Sequence, residues 1–136
     1  MQITTGYLDA KSQSKAGETR LGKEILERQV FHVGEVVFRV GEPPRCAYLI
    51  QSGTIDVMVP ISGTDQVVDT LEAGELLGEM ALVDSQPRSA TAVAKVVTTC
   101  IVITPTDFQH RLEKSDPFVR AMLKVLTRRL RKSTNH

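Results

Sequence analysis

Tryptophan is absent, and aromatic residues make up only 4% of the 136 positions. A chain so poor in rings has no stacking platform for single-stranded nucleic acid. Cysteine is almost as scarce. Cys46 and Cys100 are isolated thiols, too few for a disulfide framework or a metal cluster, and read as small buried hydrophobes. No apolar run approaches the roughly eighteen residues that a membrane-crossing helix needs. A net charge of only +1 argues against a domain built mainly to coat nucleic acid. The first residues lack a basic-then-apolar leader, so a cytoplasmic location is expected. His32, His110 and His136 lie in three different stretches, with no His-x-His pair to start a metal site.

What remains is ordinary for a single soluble, globular domain: 41% hydrophobic and 24% charged residues, enough for one core. Residues 1–20 are polar, without a sustained period, and read as a loose segment. From Ile25 the period is two. Short alternating runs such as Val36–Val40, Ala47–Ile50, Thr54–Val59 and Val67–Leu71 are punctuated by Gly and Pro turns. Thr91–Val96 and Thr98–Ile103 follow. That spacing is the signature of an all-β sandwich or jelly roll.

After Ile103 the character changes. Thr104-Pro105-Thr106-Asp107 combines an N-cap, a proline at the first helical position and a carboxylate at the third. Ser115-Asp116-Pro117 begins a second helix. Phe118, Met122 and Val125 share one stripe on it, and Val119, Leu123, Leu126 and Leu130 share the next, so this helix is expected to lie on the barrel. The tail is basic, with Arg111, Lys114, Arg120, Lys124, Arg128, Arg129, Arg131 and Lys132 against Glu113 and Asp116. It reads as a solvated face suited to the helix C-terminal dipole, or as a surface for an acidic partner, a membrane or nucleic acid.

One stretch, 74–94, organises the rest. Gly78 allows close backbone approach, and a short helix from about Met80 to Val83 offers N–H groups to an anion. Arg88 brings a planar fork suited to two oxygens of one phosphate. Glu79 repels a phosphate, so its natural partner is a hydroxyl donor. Anion, hydroxyl and little else polar is the chemistry of a cyclic nucleotide, whose ribose 2′-OH is the one sugar donor left.

Gly78-Glu79-Met80-Ala81 and Pro87-Arg88-Ser89-Ala90-Thr91 resemble the two halves, G-E-x-A and P-R-x-A-T, of the phosphate-binding cassette of the cyclic-nucleotide-binding domain family. That family includes bacterial catabolite activator proteins, regulatory subunits of cAMP-dependent protein kinase and nucleotide-gated channels. Gly-Glu alone means nothing, since Gly34-Glu35, Gly41-Glu42 and Gly74-Glu75 also occur. Both halves at this spacing are specific. The resemblance implies a mainly β fold, an antiparallel double-stranded β-helix (jelly roll) with flanking helices and a C-terminal helical lid.

Its implied boundaries are a binding domain over 21–136, with the roll about 24–103, the cassette 74–94 and the helices 105–132. The implied ligand-binding set is Gly78, Glu79, Met80, Ala81, Arg88, Ser89 and Ala90, Ala81 acting through its backbone N–H. The implied ligand is cAMP, with cGMP the alternative, and no cofactor. Threonine after the cassette arginine often accompanies cGMP selection in the family, and Ser89 stands there. The expected role is a regulatory sensor, not an enzyme, with an unidentified partner or output domain. A shortened sensor domain of a transcription regulator or other multidomain protein is one alternative, although no DNA-reading helix-turn-helix is seen and no direct DNA binding is expected. A cupin-like metalloenzyme is the other.

Overall fold

The computed structural model describes residues 17–21 and 24–134. The loose segment expected over 1–20 therefore lies mostly outside the described residues. Its last part is a strand, β1 (Gly17–Leu21), which pairs antiparallel with β2 (Glu24–Phe31). The remaining strands are β3 (Val36–Phe38), β4 (Ala47–Ser52), β5 (Thr54–Ile61), β6 (Thr64–Glu72), β7 (Leu76–Leu77), β8 (Thr91–Ala94) and β9 (Thr98–Ile103). Two helices follow, α1 (Pro105–Lys114) and α2 (Pro117–Thr134).

The strands form two antiparallel sheets in the orders β1-β2-β9-β4-β7 and β3-β8-β5-β6. This is the jelly-roll architecture with C-terminal helices. Alternation does most of the work. On β5, Ile55 is fully buried and Val57 packs against the core, while Asp56 turns to the other face and accepts from Thr70 Oγ1 at 2.9 Å. Strand β9 departs from alternation because it is buried on both faces, its Thr98 and Thr99 included. Phe31, Phe38, Tyr48, Ile50, Leu77, Cys100 and Val102 close the core between the sheets. Phe31 meets Tyr48 edge-on, with ring centroids 5.9 Å apart.

Burial pushes the Cys100 thiol up to about 12. It also raises the Tyr48 phenol well above its usual range, with a hydrogen bond to Cys46 as a lesser contribution. Both groups stay protonated and act as packing atoms.

The helix boundaries match the sequence signals. Thr104 Oγ1 accepts from the Asp107 amide at 3.0 Å, and Asp107 Oδ2 accepts from the Thr104 amide at 3.3 Å, a complete capping box. Asp116 Oδ1 takes the Phe118 amide at 2.8 Å and starts α2. That helix does not lie flat on the barrel as expected. Phe118 is 71% exposed, and Met122, Leu126 and Val119 are also exposed. Two neighbouring stripes give the helix more apolar surface than its contacts cover, so part of it faces solvent.

Candidate functional site

Between β7 and β8 the chain leaves the sheet and wraps one end of the roll. Gly78, with φ 72, terminates the extended backbone in the left-handed region, and a single 3-10 turn, Glu79–Leu82, follows. It begins one residue earlier than expected and is tighter than an α-helix. The Ala81 amide donates to the Gly78 carbonyl at 3.1 Å, so in this conformation it closes the turn. The Val83 and Asp84 amides both donate to the Met80 carbonyl. Asp84 Oδ1 then caps the Gln86 amide at 3.1 Å, turning the chain toward Pro87 and Arg88.

Arg88 is the centre of this arrangement. It is only 8% exposed, the one charged residue buried among those described. Its backbone is held on both sides: its amide donates to Glu42 O and its carbonyl accepts from Gly41 N, each at 2.8 Å. Those bonds tie the cassette to the β3–β4 turn. The guanidinium carbon lies 4.0 Å from the centroid of the Phe38 ring, a cation–π stack. Nη2 donates to Cys46 O at 2.7 Å, and Nη1 reaches Gly78 O at a long 3.4 Å. The buried Nε has no partner. A guanidinium has five N–H donors, so most of this one's capacity is unspent.

Around it lies a cavity of about 900 Å³. Gly78, Glu79, Met80, Ala81, Arg88, Ser89 and Ala90, the seven residues singled out in the sequence, all line it. The remaining wall was not legible as a site. Phe38 read only as part of the alternating run Val36–Val40, yet it is the surface on which Arg88 stacks. Val57, Leu71 and Asp69 line the cavity from β5 and β6. Asp69 left no clear signal, because a register shift in the β5–β6 pairing sets Val67 opposite Met58 and out of its row. No α2 residue described lines the cavity, although Arg131 Nη2 donates to Val83 O at 2.6 Å, just beyond the 3-10 turn.

Among the described residues no group of three metal-ligating side chains occurs, so a cupin-like reading finds no donor set there. No described helix is long and apolar enough to cross a membrane.

The chain is 31% identical over 97 residues to the cAMP-dependent protein kinase regulatory subunit of Pyricularia oryzae, covering 71% of this chain and 24% of that protein. It is 28% identical over 117 residues to the cyclic AMP receptor protein of Thermus thermophilus, covering 85% of this chain and 54% of the relative. It thus spans between about a quarter and about half of these relatives' lengths. Among solved structures, the EAL enzyme Bd1971 in a half-site-occupied form superposes with a TM-score of 0.75 at 29% identity. That match covers 79% of this chain and 97% of the other. The profile of the cyclic nucleotide-binding domain matches residues 28–115. With most of its length inside that match, and the roll and cassette in place, the chain belongs to the cyclic nucleotide-binding domain family, a regulatory nucleotide-binding domain.

Proposed function

We propose that the chain is a cytoplasmic cyclic-nucleotide sensor, not an enzyme, that binds cAMP in preference to cGMP and reports occupancy through α2. The observation that carries this reading is Arg88: a buried guanidinium with an unpartnered Nε on the wall of a cavity. Leaving a buried charged donor unmade is costly, and a phosphate oxygen repays it with a charge-assisted bond. Cys46 O and Phe38 hold the guanidinium in place beforehand, so little ordering is left for the binding step. Glu79, in the first turn after Gly78, is an acceptor for the ribose 2′-OH. Met80, Ala81, Ser89 and Ala90 complete the wall around phosphate and sugar. The cAMP preference rests on Ser89, which lacks the methyl of the threonine that accompanies guanine selection in the family.

Signalling through α2 is supported by two features. Its Phe118, Met122 and Leu126 are exposed and gain from covering an apolar base. Its Arg131 is bonded to Val83, at the end of the segment that forms the cavity wall. A ligand moves the helix only by its differential affinity for the two positions.

Calorimetric titration with cAMP and cGMP is the direct test. The parent protein binds both, cAMP the tighter. Arg88→Leu loses about 2–5 kcal/mol of binding, Arg88→Lys also weakens it, and Glu79→Ala loses less while eroding preference for ribose over 2′-deoxyribose. Absence of binding to either nucleotide in a folded parent sinks the reading. A cGMP affinity about tenfold the tighter, or 1.4 kcal/mol, overturns the preference alone.

A further inference from the structure

Strand pairing places four residues in one row across the four-stranded sheet. Phe38 of β3 pairs with Ala92 of β8, Ala92 with Val57 of β5, and Val57 with Asp69 of β6. Side chains of directly paired residues share a face. Phe38, Val57 and Asp69 line the cavity and Ala92 is fully buried, so this row is its floor. One end carries a cation, since Arg88 stacks on Phe38. The other end carries a carboxylate. Three strand spacings of about 4.8 Å, on the order of 14 Å in all, separate the two ends, with only apolar side chains between.

Asp69 is out of place on any packing argument. Its neighbours in register along β6 and β5, Leu71, Ile55 and Val57, all pack in or against the core. Its Oδ1 accepts only the amide of the adjacent Thr70, at 2.9 Å. No cation pairs with it among the described residues, and it is exposed at the rim of the cavity. A carboxylate accepts hydrogen bonds and donates none.

Resting on the sensor reading above, we infer that Asp69 reads the base: it accepts from the exocyclic 6-amino group of adenine while Arg88 holds the phosphate at the far end of the row. A purine without a 6-amino group cannot make that bond. This gives a preference for adenine a source independent of Ser89. Discrimination of this kind is strong where a site is built to meet a donor, because the analogue without it strands a polar group.

The test compares cAMP with the 3′,5′-cyclic phosphate of purine riboside, which differs only by lacking the 6-amino group. Calorimetry is run on the parent, Asp69→Ala and Asp69→Asn, each checked by thermal melt. The parent binds cAMP about tenfold more tightly than the purine analogue, as loss of one charge-assisted bond implies. Asp69→Ala brings the ratio close to one, and Asp69→Asn, which keeps an amide acceptor, retains part of it. Asp69 is exposed at the cavity rim on an edge strand, so these variants are expected to fold. A ratio unchanged in both variants, or close to one in the parent, overturns the inference and leaves Asp69 as an inward charge that guards the β6 edge against pairing. A parent that binds neither nucleotide sinks the sensor reading itself, an outcome distinct from binding without discrimination.

Discussion

A methyl group on Gly78 would sit 2.5 Å from Arg88 Nη1 and 3.3 Å from Phe38 Cε2, while the backbone there holds φ at +72. The glycine is required twice over, once by the left-handed turn and once by the guanidinium that passes against it. The sequence suggested that its missing Cβ would make room for a ligand. Within the protein, the group that uses the space is the arginine. Gly78→Ala therefore costs about 1–2 kcal/mol of stability from the backbone alone and also displaces the stacked guanidinium. Thermal melts of the variant show the first effect, and cAMP titration shows a loss of affinity larger than that of a remote variant of equal stability. Unchanged melting together with unchanged affinity would show that the turn rearranges freely and that the packing against Arg88 is unimportant.

Helix α2 is the element with the most unused surface. Phe118, Met122 and Leu126 face solvent, and six cations, Arg120, Lys124, Arg128, Arg129, Arg131 and Lys132, share the helix with no carboxylate. Its Arg131 donates to Val83 O, just beyond the 3-10 turn. Few tertiary contacts imply low local stability, the property expected of an element that changes position. Two measurements test it. Deleting Phe118 onward weakens nucleotide binding while the roll keeps its cooperative melt, and in the intact chain nucleotide slows hydrogen exchange over residues 117–130. Unchanged affinity with unchanged exchange means that the helix only packs. Helix α1 behaves differently: its capping box fixes its start irrespective of any ligand.

For the molecule as a whole, alkaline pH is the informative variable. Folding keeps the Cys100 thiol protonated up to about pH 12, by burial, against about 9 for an exposed thiol. The unfolded chain therefore releases that proton first as pH rises, and the folded state binds more protons in the interval between. Stability is flat below about pH 9 on this account and falls as pH climbs toward 12. Tyr48, raised by burial and by its Cys46 hydrogen bond, adds to the fall above pH 10. Denaturant melts between pH 7 and 11 show the slope. Cys100→Ala is less stable throughout because it leaves a small void, but its slope above about pH 9 is shallower. An identical slope in parent and variant contradicts the assignment.

By itself the sequence determined the class of fold, the helix starts and the two halves of the cassette, because each is encoded locally. Period-two alternation marks a half-buried strand wherever it is folded. Thr104 and Asp107 cap one another within four residues, and Gly78 and Arg88 belong to recognisable short patterns. Three features were decided only by tertiary structure. Strand β1 exists because β2 offers an edge to pair with, which no period in residues 17–21 announces. Phe38 becomes part of the site because Arg88, fifty residues later, is tied to the turn that follows β3. Asp69 enters the same cavity because pairing sets it in one row with Phe38, and the register between strands that are distant along the chain is fixed by sheet geometry and the packing of the whole core.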